Sequence, residues 1–225
     1  MYDLHTHTIF SDGVLVPAES VRRAKASGYK GLAITDHADA SNYLMLVENL
    51  LLFKESYNKN SDDFKVIIGV EFTHILPKEM EKLVFGARKV GADIIIAHGE
   101  TIVEPVERYT NRAAIECNVD ILAHPGLITD EDSPLAAKNG VFLEITTRKG
   151  HCYTNAHVAI QAKSFGVNLV VNNDFHAPSD FLSKDMIKKI MSGAGLSKHE
   201  IEKIFDNNKR LFLNKLEDKN DKEEA

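Results

Sequence analysis

The chain has no tryptophan, only two cysteines and six prolines, and no excess of basic residues among its 225 positions. Each of these shortages excludes something. Cys117 and Cys152 stand alone, without Cys-x-x-Cys spacing, so neither a disulfide framework nor a thiolate zinc site is expected, and the natural location is a reducing, cytoplasmic one. Lys and Arg total 27 against 33 Asp and Glu, a formal net charge of -6, which offers no broad basic face for gripping a polyanion. Nucleic acid is therefore not the expected partner, although a local basic pocket would suffice for a single phosphate. No run of about 18 apolar residues occurs, so no membrane-spanning helix is expected. Met1 leads into a polar stretch, not a basic-then-apolar export signal. The ordinary apolar fraction, 44%, leaves a soluble globular protein.

What is present in quantity is histidine, ten in all, most of them beside Asp, Glu or another His at the end of an apolar run. Those runs are Met1 to Leu4, Gly31 to Thr35, Lys65 to Val70, Asp93 to Ala97, Val119 to Ala123, Val141 to Ile145 and Asn168 to Val171. They are continuous, as strands buried on both faces of a parallel sheet are. Helical patterns alternate with them over 17–27, 41–57, 77–90, 103–117, 131–139 and 155–165, followed by a terminal pair over 183–191 and 197–213. Seven β-α units without a composition break predict one parallel α/β domain over 1–214, either a barrel or a doubly wound sheet. The charged stretch 215–225 reads as a tail.

The chemistry gathers at the strand ends. His5 and His7 lie two apart, so in a strand their imidazoles share a face, as two ligands to one cation must. The next strands end in Asp36-His37, Val70-Glu71, Ala97-His98, Ala123-His124 and Asp174-Phe175-His176. In a parallel α/β fold these ends share one rim, where such folds place their sites. The sixth strand lacks a metal-type residue at its end and leads instead to Arg148, whose planar fork suits a phosphate.

The segments DLHTHTIFSDG, ITDH, GVEF, AHGE, AHPG and NNDFH, spread from residue 3 to residue 176, resemble the successive motifs of the PHP (polymerase and histidinol phosphatase) superfamily. The resemblance implies a distorted (β/α)7 TIM-like barrel. It also implies three divalent cations, zinc, manganese or iron. His5, His7, Glu71 and Asp174 would hold the first; Glu71, His98 and His124 the second; Asp12, His37 and His176 the third. Glu71, Asp174 and His176 are the members of that set expected to carry catalysis. The implied activity is metal-dependent hydrolysis of a small phosphomonoester, as in histidinol phosphatases, by a metal-activated hydroxide. Two other functions fit the same resemblance: a phosphodiesterase or nuclease acting on nucleotides or nucleic acid ends, and a non-catalytic scaffold like the barrel subunit of ribonuclease P.

Around this set, Arg148 is expected to bind phosphate, with a rim salt bridge to Glu144 as the alternative. His74 and His151 are candidates for substrate contact, and Asp36 for orienting a ligand imidazole. Glu100 and Thr101 either meet substrate or, for Glu100, complement a helix N-terminus. His157 and His199 fall within helical patterns and read as ordinary packing or surface residues. Short loops after the fourth and fifth strands predict an open pocket.

Overall fold

The computed structural model describes residues 1–217. Its strands are β1 (Tyr2–Asp3), β2 (Gly31–Ile34), β3 (His37–Ala38), β4 (Lys65–Phe72), β5 (Ile94–His98), β6 (Ile121–Ala123), β7 (Phe142–Thr146) and β8 (Leu169–Asn172). The helices are α1 (Pro17–Ala26), α2 (Tyr43–Lys59), α3 (Met80–Lys89), α4 (Thr110–Glu116), α5 (Asp132–Asn139), α6 (Asn155–Phe165), α7 (Lys184–Gly193) and α8 (Lys198–Glu217). All ladders are parallel, in the order β1-β2-β4-β5-β6-β7-β8. The second strand of the sequence is broken at Thr35-Asp36, and both pieces, β2 and β3, pair with β4. Seven β-α units thus wrap into a distorted TIM-like barrel, the fold that the resemblance implied.

The barrel has one seam. Between β1 and β8 there is no ladder; a bridge joins Thr6 to Phe175, and the His7 amide donates to the Phe175 carbonyl at 2.8 Å. Below it, the buried Asn208 of α8 does the work of a strand: its Oδ1 accepts from the Val171 amide (2.9 Å), and its Nδ2 donates to Val171 O (2.8 Å) and Tyr2 O (3.3 Å). Inward-facing Leu4, Ala33, Ile67, Ile96 and Val170 fill the barrel, and Phe212 of α8 plugs its floor. That plug requires Gly31, since a Cβ there would lie 2.5 Å from the Phe212 ring. The outward residues, Leu32, Ile68, Ile95 and Leu143 among them, pack against the helices in the larger cluster.

Two expectations change. Residues 103–109 are not helical: α4 begins only at Thr110, and Gly99 to Tyr109 form a long loop over the rim, so the loop after the fourth strand is not short. Pro105 contributes, because proline keeps its predecessor extended. Of the expected tail, Lys215 to Glu217 continue α8, with Lys215 Nζ 2.6 Å from Asp120 Oδ1, while 218–225 lie outside the described residues. No helix among the described residues is long and apolar enough to cross a membrane.

Candidate metal centre

The strand ends converge at the top of the barrel. Glu71 sits in β4 opposite His37 of β3, and His98 closes β5 opposite Ala123, which precedes His124. His5 and His7 follow β1, and Asp174 and His176 follow β8, so these four face one another across the seam. His124 and Asp174 hold left-handed backbone, φ 27° and 51°. Non-glycine residues rarely take that conformation, and it persists where a site over-determines it.

All nine residues that the resemblance implied are brought into one cluster. His5 Nε2 lies 3.3 Å from Glu71 Oε2, and His7 Nε2 lies 3.3 Å from Asp174 Oδ1. His124 Nε2 is 3.7 Å from Glu71 Oε1 and 3.6 Å from Asp174 Oδ2. Asp12, half exposed at the mouth, is 3.0 Å from His176 Nε2 and 3.5 Å from His37 Nε2. Donor atoms of His7, Asp12, His37 and His176 fall within 4.8 Å of one another, as do those of His5, His7 and Glu71, and of His5, His124 and Asp174.

The hydrogen bonds fit this cluster to cations. The far nitrogen of His176 donates to the Asp174 carbonyl (3.0 Å), and that of His98 to the Gly99 carbonyl (3.1 Å). His5 Nδ1 pairs with the buried Glu144 at 2.9 Å. Each proton so committed leaves Nε2 with a bare lone pair aimed at a carboxylate oxygen, and two acceptors face each other stably only with a proton or a cation between them. His5 Nε2, both ring nitrogens of His7, and Glu71 Oε1 are buried without any hydrogen-bond partner. The donor set, imidazole mixed with carboxylate, suits zinc, manganese or iron.

Without cations the cluster holds protons instead. Burial opposes charge on His5, yet Glu71, Glu144 and Asp174 hold its imidazole well above the ordinary value. Burial likewise opposes charge on His37, but Glu71 and Asp12 lift it to about 10. His98 is raised against burial by Glu104 and Glu71, whereas burial drives His7 down to about 3 and His124 well below the ordinary range. His37, lifted that far, is charged at neutral pH and must lose its proton to bind a cation. Metal affinity is therefore expected to rise from pH 6 to pH 8, by about tenfold per unit for each proton displaced. Competition titrations with a chromophoric chelator at three pH values test this, and an affinity independent of pH would contradict it.

Arg148 is at the mouth, but its partners differ from expectation. Its Nη1 donates to Asp174 O (3.2 Å) and its Nε lies 3.5 Å from Asp174 Oδ2, with Asp180 beyond at 3.8 Å; Glu144 is committed to His5 instead. Asp36 orients no imidazole: its oxygens accept from Thr8 N, Thr8 Oγ1 and Ser11 Oγ at 2.7 to 2.8 Å, fixing the loop that carries Asp12. Thr73, absent from the sequence-based candidates, takes the orienting role at His37, with its Oγ1 2.6 Å from Nδ1. His157 Nε2 bonds the Ile128 carbonyl, a structural contact as expected, and His199 lies in the first turn of α8. Glu100 accepts from the Asn111 amide in the first turn of α4, the helix-terminus alternative. His74 and His151 both reach Glu104, a residue that sequence reasoning missed because it counted 103–117 as helix.

The model of the PHP domain family matches residues 3–139. An uncharacterised protein of Methanocaldococcus jannaschii is 50% identical over 202 residues, 89% of this chain and 93% of that protein. A probable phosphatase of Shewanella frigidimarina is 30% identical over 198 residues, 78% of this chain and 77% of its own length. Ribonuclease P protein component 3 of Methanosarcina mazei is 31% identical over 155 residues, 65% of this chain but only 56% of that protein. Among solved structures, the histidinol phosphate phosphatase of Lactococcus lactis, crystallised with zinc, L-histidinol and phosphate, superposes with a TM-score of 0.61 at 17% identity, over 87% of this chain and 94% of its own. The barrel architecture is thus shared with a solved structure and the family match spans more than half of the sequence; the chain belongs to the PHP domain family.

Proposed function

We propose that the protein is a metal-dependent phosphoesterase that hydrolyses a small phosphomonoester at a centre of three divalent cations. One observation carries the reading: buried donors of His5, His7 and Glu71 stand without hydrogen-bond partners beside Asp12, His37, His124, Asp174 and His176, which line a cavity together with the cationic Arg148. His5, His7, Glu71 and Asp174 would hold the first cation, His98, His124 and a shared Glu71 the second, and Asp12, His37 and His176 the third. Cations held there would supply Lewis acidity, lowering the pKa of bound water and neutralising phosphate charge.

The chain's own residues do the rest. Glu144 and Thr73 hold the rings of His5 and His37 in place, so the donors are pre-oriented. Arg148 is anchored to Asp174 through Nη1 and Nε, with Asp180 beyond, and its Nη2 hydrogens would meet phosphate oxygens. Beyond it a groove lined by Val103, Thr147, Lys149, Asn173 and Asp180 has room for the leaving group. The probable phosphatases among the relatives support this reading. A second reading, a part in RNA processing, is favoured by the likeness to the ribonuclease P component. The net charge of -6 and the complete donor set favour the first.

The test is a panel of histidinol phosphate, nucleoside monophosphates, a dinucleotide diester and paired nitrophenyl mono- and diesters, each with Mn²⁺, Zn²⁺ and Fe²⁺. Chelator-sensitive turnover of a monoester is expected. A metal-loaded protein that turns over none of them but binds RNA would transfer the weight to the second reading. Arg148→Ala is expected to raise KM and lower kcat with metal content intact, losing about 2 to 3 kcal/mol of charge-assisted bonding to the phosphate. Unchanged kinetics would assign Arg148 a structural role.

A further inference from the structure

Glu104 has no role in the nine-residue set, yet three imidazoles converge on it. His98 Nε2 lies 3.1 Å and His74 Nε2 3.2 Å from its Oε2, while His151 Nε2 lies 3.2 Å from its Oε1. The pairing with His98 is the informative one. His98 Nδ1–H is spent on the Gly99 carbonyl, so Nε2 offers a lone pair, and the carboxylate that it faces is Glu104. This is the same opposition of lone pair and carboxylate that marks His5 with Glu71 and His176 with Asp12. Donor atoms of His74, His98 and Glu104 also fall within 4.8 Å of one another, as do those of His98, His124 and His151.

The loop that carries Glu104 is built to place it. At its base the Gly99 amide donates to Ala123 O (3.0 Å), and the buried Asn111 clamps both sides: its Oδ1 accepts from the Glu100 amide (2.9 Å), and its Nδ2 donates to Pro125 O (2.9 Å). The nearly buried Thr101 stands 3.0 Å from His151 Nδ1. With the Thr101 hydroxyl donating there, His151 Nε2–H donates to Glu104 and fixes its second oxygen. Past Glu104 the Val106 amide closes a turn on the Glu104 carbonyl (2.9 Å). A solvated surface glutamate needs none of this.

We propose that Glu104 is a tenth donor of the metal centre, delivered by the 99–109 loop to the cation shared by His98 and His124. His98, His124 and Glu71 give that cation three protein donors, fewer than its preferred coordination, and a carboxylate oxygen beside His98 fills a further position. His151, and His74 beyond it, are then positioning residues that hold the carboxylate. The proposal rests on reading the cluster as a cation site.

The experiment is cation titration of the purified full-length protein, wild type against Glu104→Gln and Glu104→Asp, with Co²⁺ followed by its visible absorption and Zn²⁺ by chelator competition. Wild type is expected to take up cations in distinguishable steps. Glu104→Gln keeps the size and loses the charge; it should weaken one step by about tenfold or more and leave the others in place, with a changed cobalt spectrum. Glu104→Asp should recover part of the loss. Melting of the metal-free forms reports folding separately, and Glu104→Asp serves if the glutamine variant melts early. Equal cation number, affinity and spectrum in wild type and Glu104→Gln would overturn the assignment of Glu104 alone. A wild-type protein that binds no divalent cation would overturn the metal reading itself.

Discussion

Replacing Asp174 with alanine is expected to remove bound cations and hydrolysis together while leaving the metal-free fold standing. The side chain is buried, and its two oxygens reach four imidazoles and the Arg148 guanidinium. Oδ1 lies 3.3 Å from His7, 3.4 Å from His176 and 3.8 Å from His5, and Oδ2 lies 3.6 Å from His124 and 3.5 Å from Arg148. Without it the imidazoles lose a common counter-charge and the guanidinium loses an anchor. Activity should fall by about 10³-fold or more, since both the metal and the preorganised charge are lost. Cations at 100 times their dissociation constant stabilise a protein by about 2.7 kcal/mol, or about 5 to 10 °C at this chain length. Wild type should show that rise in Tm on metal loading and lose it to a chelator, and Asp174→Ala should show neither. Full turnover, or a wild-type metal response, in the variant would sink the assignment.

The largest effect on stability is expected at Gly126, in the turn after His124. Its φ is +63°, and an added Cβ would sit 1.8 Å from the Glu100 carbonyl oxygen, which belongs to the base of the loop carrying Glu104. The backbone on both sides is pinned, by Asn111 through Pro125 and Glu100, so little can give way. Gly126→Ala should cost about 3 kcal/mol or more, which lowers Tm by about 6 to 12 °C. Gly140→Ala provides the control. It shares the left-handed backbone, φ +71°, but has open space around its Cα, so it should lose only the conformational penalty of about 1 to 2 kcal/mol. If calorimetry finds the two variants equal, close approach of the two loops is not what Gly126 protects.

These residues also mark how far the sequence could be read. Eight of the nine donors were legible because they stand at the ends of continuous apolar runs, and a parallel sheet sends all such ends to one rim; Asp12, in the loop after His7, came only from the resemblance. Glu104 was hidden for a physical reason: Val103 to Cys117 has helical spacing, and only Pro105 signals that residues 103–109 stay out of the helix. Glu144 was visible as a carboxylate inside the apolar run VFLEI, but the run does not say which way it faces. It is fully buried and turned to His5, across 139 positions of sequence. A period-two argument ranks faces, not partners. Thr73 escaped because a threonine past a strand end is a common residue with a common explanation.

The seam between β1 and β8 gives the centre a part in how the molecule comes together. The Leu4 amide meets the Asn172 side chain across 168 positions of sequence, and the Thr6 to Phe175 bridge is of the same reach. Contacts so distant along the chain carry the greatest loop-closure entropy. His5 and His7 come from one lip of that junction, Asp174 and His176 from the other. A cation gripped by residues of both lips would tie the first strand to the last, as a buckle closes a hoop. Ions that served the chemistry would thus also hold the ring shut, because their full donor set exists only once the ring is complete.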